Sequence, residues 1–108
     1  MEEQALISNQ EMDMVKQTHT IAVHPGKVLL DELQERGITQ SALAGHIGVL
    51  SKTINEIVRG KRGISAEMAV KLSCALGASP AFWLNLQKNW ELSQVDRKAG
   101  RRIKPIAA

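Results

Sequence analysis

Polar side chains of mixed hydrogen-bonding character are concentrated between positions 51 and 62. Ser51, Lys52 and Asn55 come first and offer both donors and acceptors over little more than one helical turn. In the major groove of B-DNA, a lysine can donate to guanine, an asparagine can bond adenine bidentately and a serine is adaptable. Bases that can neutralise phosphate follow: Arg59, Lys61 and Arg62. The set suits noncovalent recognition of a polyanion.

Catalysis and metal binding find little support in the sequence. Asp31, Glu32 and Glu35 have the spacing of a solvated helical face, and no histidine partners them as an acid–base pair would require. No two of the three histidines have the i, i+4 spacing of a helical zinc pair. The single cysteine, Cys74, lies in an apolar stretch and is expected to be a small buried residue. We therefore predict no enzyme activity, no catalytic or metal-binding residues and no cofactor.

Helix caps and glycines divide the chain after residue 24 into five segments. Each segment begins with a proline or a capping residue and continues with apolar residues near a 3.6-residue period. Four of the segments end at a glycine, which has no Cβ to clash in the left-handed conformation that terminates helices. The predicted starts are Pro25, Thr39, Ser51, Ser65 and Ser79, and the predicted ends are Gly37, Gly48, Gly60 and Gly77. The predicted fold class is all-α, with five helices.

The second and third segments predict a helix-turn-helix between Thr39 and Gly60. They are short and are joined by only a few residues around Gly48 and Val49, too few for an antiparallel hairpin. Ala44 is small enough to let the two helices approach closely. The outer face of the third helix then carries Lys52, Thr53, Asn55, Glu56 and Arg59. Similar units also occur in domains that never touch DNA, where such a face is only solvated.

In the DNA-binding interpretation, the start of the third helix reads base edges and its surroundings contact the phosphate backbone. Thr53 and Arg59 suit the flanking backbone, and Thr39 with Gln40 can present amide groups to a phosphate. Glu56 is discordant, since a carboxylate facing DNA repels phosphate unless it accepts from a cytosine. The predicted DNA-binding residues are Thr39, Gln40, Ser51, Lys52, Thr53, Asn55, Arg59, Lys61 and Arg62.

The charge distribution divides the 108 residues into an acidic start and a basic end. The net charge is −3 over residues 1–24, +2 over residues 25–65 and +4 over residues 66–108. The basic residues are also clustered, for example at Arg59, Lys61 and Arg62, and such clusters favour nucleic acid as a partner. A solvated surface with a basic tail kept for solubility explains them equally well. The absence of a long apolar run and of a signal peptide makes the cytoplasm the expected location.

We predict three regions. Residues 1–20 form a flexible acidic arm, residues 21–94 form the helix-turn-helix domain, and residues 95–108 form a basic tail. The arm suits the wrapping of a basic partner protein, but Met12 and Met14 also allow it to be a start-site extension without a role.

The aromatic residues all lie within nine positions of the fifth segment, where we expect a homodimer interface. Trp83, Leu86 and Trp90 are its predicted residues, with Trp83 also suited to the core and Trp90 to the interface. The alternative is that Phe82 and Trp83 both fill the core of the monomer and Trp90 alone is exposed.

The segment from Thr39 to Arg62 resembles the helix-turn-helix of Xre/Cro-type (lambda-repressor-like) proteins. Three stretches narrow the resemblance to the HigA/VapI antitoxin family of type II toxin–antitoxin systems: His24-Pro25-Gly26, the run from Glu56 to Ala66, and Phe82-Trp83-Leu84-Asn85-Leu86-Gln87. The resemblance covers roughly residues 21 to 92. The match of all three stretches together is specific, whereas each alone would be weak.

The resemblance implies a compact five-helix domain that dimerises, binds a palindromic operator upstream of its own operon and neutralises a HigB-like mRNA-cleaving toxin. It places Gln40, Ser51, Lys52, Thr53 and Asn55 on the DNA-contacting positions of the family. This chain departs from the family at Lys27, where an acid is common, and in its acidic arm. The alternative function is a free-standing, phage-like Xre-family regulator without a toxin partner, and the identity of the neighbouring gene would decide between the two.

Overall fold

The computed structural model describes residues 22–95 and 100–107. Within these residues the chain forms five α-helices and no strand, which confirms the predicted all-α class. We number the helices α1 to α5: α1 Pro25–Arg36, α2 Gln40–Ile47, α3 Ser51–Val58, α4 Ala66–Leu76 and α5 Pro80–Gln94. The predicted acidic arm lies outside the described residues, and the predicted basic tail is described only in part.

Local capping explains most of the helix boundaries. The hydroxyls of Thr39, Ser65 and Ser79 accept hydrogen bonds of 3.0–3.1 Å from backbone N–H groups three residues later, at the starts of α2, α4 and α5. At the end of α2, Gly48 adopts the left-handed conformation with φ of 75°, and its N–H bonds the carbonyl of Ala44. These short-range bonds satisfy terminal groups that would otherwise lack partners.

The start of α3 differs from the prediction that Ser51 caps it. The N-cap residue is Leu50, whose extended backbone precedes the helix and whose side chain makes no capping bond. Ser51 is the first helical residue, and its hydroxyl donates instead to the hydroxyl of Ser41 on α2 at 3.3 Å. The hydroxyl of Ser51 therefore joins α3 to α2 and does not cap α3.

One face of each helix contributes to a common core. Leu29 and Leu33 of α1, Ile54 and Ile57 of α3 and Trp83 of α5 are among the largest side chains in it, and each is at most 2% exposed. The remaining core residues are Leu43, Ala44, Ile64, Met68, Ala69, Leu72 and Leu76. Helix α2 packs against α3, and α5 packs against both α4 and α1. Among the described residues, no helix has the length and apolar character required to span a bilayer.

The prediction that Cys74 is buried is wrong, because its side chain is exposed. The core side of α4 is set by Met68, Leu72 and Leu76, which follow one another at four-residue intervals. Cys74 lies two residues beyond Leu72, about 200° around the helix, and so points away from the core. Val70, on the same outer side, is 51% exposed.

Candidate nucleic-acid interface

The two faces of α3 differ sharply. Ile54 and Ile57 are completely buried against the other helices. Ser51 and Lys52 are exposed in the first turn, while Asn55 is half-buried one turn later. The helix thus presents its early polar side chains outward, as expected, with Thr53 half-buried and Arg59 exposed beside them.

Two side-chain hydrogen bonds join the polar face of α3 to the start of α2. The side-chain N–H of Asn55 donates to the amide oxygen of Gln40 at 3.1 Å, and Ser51 donates to Ser41 at 3.3 Å. The first bond uses only one N–H of Asn55 and the oxygen of Gln40, so each amide keeps hydrogen-bonding capacity for a ligand. The bond therefore holds Asn55, a predicted base-reading residue, beside Gln40, a predicted phosphate-binding residue.

Thr39 precedes this pair and already has a structural role. Its oxygen accepts from the backbone N–H of Ala42 at 3.0 Å, which leaves the hydroxyl hydrogen to donate. Thr39 and Gln40 therefore lie together at the amino end of α2, where the helix dipole favours an anion. This end of α2 and the early turns of α3 are brought together by the fold.

The structure resolves the discordance of Glu56. Both Nε and an Nη atom of Arg62 contact the same carboxylate oxygen of Glu56, at 2.9 and 2.7 Å. The hydrogen bond from Arg62 is the main reason that the pKa of Glu56 lies below its ordinary value, and the positive charges of Lys52 and Lys61 lower it further. The carboxylate is therefore compensated from within the chain, and Arg62 is partly engaged before any ligand arrives.

The loop between α3 and α4 carries the basic residues Lys61 and Arg62, and a hydrogen bond to Gln87 holds it against α5. The amide oxygen of Gln87 accepts from the backbone N–H of Ile64 at 2.7 Å, and its nitrogen donates to Glu91 at 2.9 Å. Gly63 passes so close that a Cβ there would lie 2.7–2.9 Å from the Gln87 amide atoms. Gln87 is 8% exposed, so this buried bond fixes the loop that presents Lys61.

A second fastening lies at the amino end of α1. Nδ1 of His24 accepts from the backbone N–H of Gly26 at 2.9 Å, and its ring packs edge-on against Trp90 with centroids 4.7 Å apart. Partial burial lowers the pKa of His24, which favours the neutral ring that this bond requires. A Cβ on Gly26 would overlap the carbonyl oxygen of Ile57, so the backbone of α1 lies in direct contact with the backbone at the end of α3.

Residue-by-residue reasoning on the sequence missed the roles of His24, Gly26, Gly63 and Gln87. Two signals were present. The first is that all four residues lie in the three stretches that carry the family resemblance, which the fold brings together around one loop. Gln87 is also a polar residue four positions after Trp83, on the buried side of α5.

The predicted interface residues of α5 are in different environments. Trp83 is 1% exposed, which confirms its assignment to the core, while its assignment to a dimer interface stays a prediction. Its ring is covered by the chain's own helices and has almost no surface to offer a second copy. Phe82 is 43% exposed and Leu92 is 65% exposed, whereas Leu86 and Trp90 are half-buried. Phe82 therefore does not fill the core, contrary to the alternative interpretation.

Comparison with known proteins agrees with this architecture. A family model described as helix-turn-helix matches residues 29–83. Virulence-associated protein A′ of Dichelobacter nodosus is 40% identical over 84 residues, which cover 77% of this chain and 73% of that protein. Antitoxin HigA-1 of Vibrio cholerae is 33% identical over 96 residues, which cover 85% of this chain and 90% of that protein. The structure of Pseudomonas aeruginosa antitoxin HigA with the higBA promoter matches with a TM-score of 0.72 at 40% identity, covering 80% of this chain and 99% of that one.

The tight α2–α3 connection and the polar outer face of α3 define a helix-turn-helix protein. This chain belongs to that family, within the group that contains the HigA antitoxins and virulence-associated protein I. The group consists of DNA-binding regulators and antitoxins and not of enzymes, which confirms the prediction of a non-enzymatic protein.

Proposed function

We propose that this chain is a cytoplasmic transcriptional repressor that binds a palindromic operator as a homodimer, represses its own operon, and serves as the antitoxin of a HigB-like toxin. The observation that carries the DNA-binding part is the 3.1 Å bond between Asn55 and Gln40. It holds a base-reading amide of α3 and a phosphate-binding amide of α2 in one rigid arrangement before DNA is present. Rigid positioning lowers the cost of ordering side chains on binding.

The roles that we propose follow from position. Ser51, Lys52 and Asn55 would contact base edges, since they are at the exposed start of α3. Thr53 and Arg59 would contact the flanking phosphates, and Thr39 with Gln40 would hold a further phosphate at the amino end of α2. The loop residues Lys61 and Arg62 would add sequence-independent attraction, with Arg62 sharing its charge between phosphate and Glu56.

The proposed dimer rests on exposed apolar side chains of α5. Phe82 and Leu92 expose 43% and 65% of their surfaces, and the half-buried Leu86 and Trp90 lie on the same helix. Burying such side chains against a second copy would remove apolar surface from water. A two-fold dimer would place two copies of α3 in successive major grooves about 34–36 Å apart. Sedimentation that finds only monomer at micromolar concentration would contradict this part of the proposal.

The antitoxin role is supported by the similarity to Vibrio cholerae antitoxin HigA-1 over most of both chains. A ribonuclease needs a basic cleft for RNA, and residues 1–24 of this chain carry a net charge of −3. We propose that this acidic region contributes to toxin binding. Co-expression of full-length chain and a chain lacking residues 1–18 with the product of the adjacent gene tests the idea. Loss of co-purification on deletion supports it, and an adjacent gene that encodes no toxin would leave a free-standing regulator.

Asn55→Ala tests the docking of α3, with Gln34→Ala on the exposed side of α1 as a matched control. The assay is titration of a fluorescent 30-bp duplex obtained by in vitro selection with the wild-type chain, against a random duplex of equal length. Asn55→Ala should weaken binding of the selected duplex by about 1–3 kcal/mol and leave the random duplex unchanged. Unchanged affinity for the selected duplex would show that α3 does not read its bases.

Lys61→Gln tests the role of the loop. A phosphate contact carries no sequence information, so the substitution should weaken binding of the selected and the random duplex about equally. It should also reduce the dependence of log K on log salt concentration by about one unit per chain. An effect confined to the selected duplex would mean that Lys61 reads a base.

A further inference from the structure

The carboxyl-terminal segment is a charged surface that the proposed function leaves unused. Residues 100–107 contain Arg101, Arg102 and Lys104 and no acidic residue. All three side chains are exposed, and none of them takes part in a salt bridge within the described part of the chain. The N–H of Ile103 donates to the carbonyl of Gly100 at 3.1 Å, so the two arginines are the central residues of a turn.

The carboxyl-terminal part of α5 packs close to the start of the basic loop. Trp90, near the end of α5, contacts His24 at 4.7 Å between ring centroids, and a Cβ on Gly60 would lie 4.0 Å from the same imidazole. Val95 ends α5 about 7.5 Å further along the helix axis from Trp90. The next six residues span at most about 20 Å, which is long enough for Arg101 to reach phosphates next to those that the loop would contact.

We propose that Arg101, Arg102 and Lys104 form an arm that binds the phosphate backbone of duplex DNA on the flank of each operator half-site. The proposal rests on the proposed repressor function and adds a second backbone contact to it. The guanidinium fork matches two phosphate oxygens, and two adjacent arginines at a turn can follow neighbouring phosphates. Contacts of this kind fix orientation and increase affinity without reading sequence.

The test compares two double variants of the full chain, each of which removes two positive charges. Arg101→Gln/Arg102→Gln changes the arm, and Lys71→Gln/Lys88→Gln changes α4 and α5 as the matched control. Their affinities are measured on the selected 30-bp duplex and on a random 60-bp duplex over a range of KCl concentrations. For each bound chain, the arm variant should weaken binding of both duplexes by up to about 30-fold at 0.15 M salt and lower the salt slope by up to about 1.8. The control variant should retain wild-type values.

Three outcomes overturn the proposal. The first is that the arm variant retains the wild-type affinity and salt slope. The second is that the control variant changes both as much as the arm variant does, in which case overall charge is the cause. The third is that the wild-type chain binds neither duplex, which removes the repressor function together with the arm. Wild-type binding with no effect of the arginine substitutions removes only the arm. Arg101 and Arg102 lie outside the helices, and the side chains of Lys71 and Lys88 are not buried. Both variants should therefore melt near the wild-type temperature, and a binding defect then reports on contact with DNA.

Discussion

Gly26→Ala is the substitution whose effect the structure specifies most closely. The added Cβ would overlap the carbonyl oxygen of Ile57 and lie 2.7 Å from its carbonyl carbon. Both atoms are backbone, so no side-chain rotation can relieve the overlap and α1 must move away from α3. Overpacking of this kind costs about 3 kcal/mol, against which the helix propensity of alanine returns at most about 1 kcal/mol. The free energy of unfolding should fall by about 2 kcal/mol.

Gly45→Ala provides the matched control for this substitution. Gly45 lies within α2, and a Cβ there would meet no atom within 4 Å. The same chemical change should therefore stabilise the protein by about 0.5–1 kcal/mol, because alanine favours the helix. Thermal melting followed by circular dichroism should place Gly26→Ala about 8–16 °C below wild type and Gly45→Ala a few degrees above it. If Gly26→Ala melts at or above the wild-type temperature, α1 does not approach the end of α3 as described.

Three further predictions concern polar groups of the same region. Gln87→Leu should lower the free energy of unfolding by about 1–3 kcal/mol in urea titration, since it leaves the buried N–H of Ile64 without its acceptor; a change below about 0.5 kcal/mol would contradict the buried bond. Glu56→Gln should tighten binding of random duplex and steepen its salt slope by up to about one unit per chain, because it frees Arg62 to bind phosphate. In the wild-type chain the ion pair should persist below the ordinary pKa of Glu and disappear as pH falls through the lowered pKa. An unchanged salt slope would show that the ion pair with Glu56 does not limit the contact of Arg62 with DNA. The lowered pKa of His24 means that its contribution to stability is complete above about pH 6.5 and decreases as pH falls from there towards the pKa of the folded state. Urea titrations between pH 5 and pH 8 should show this loss. The loss should be absent in His24→Asn, because asparagine can cap the helix but does not titrate.

Much of the fold and the central part of the candidate site could be predicted from the sequence. Thr39 and Ser65 accept from N–H groups only three residues away, and Gly48 needs its left-handed conformation for reasons internal to one turn. Interactions of this range depend on a few adjacent residues, so the sequence states them directly. The outward position of Lys52 likewise follows from the helical period around Ile54.

The misplacement of Cys74 shows where the helical period stops being informative. Helix α4 carries apolar residues on both sides, including Val70 at 51% exposure and Leu72 at 0%. A period identifies a core face clearly only when the opposite face is polar, and here Val70 and Cys74 make the outer face partly apolar. Which side of α4 is buried was decided by its neighbours.

The sequence by itself determined most limits of the five helices in the described residues and the polar character of α3, because capping and periodicity are local. The tertiary structure decided which polar groups are already engaged. Gln87 meets Ile64 across 23 residues, and Asn55 meets Gln40 across 15 residues. Contacts of this kind depend on where the helices lie in space, a property of the packed core that no short stretch of sequence contains.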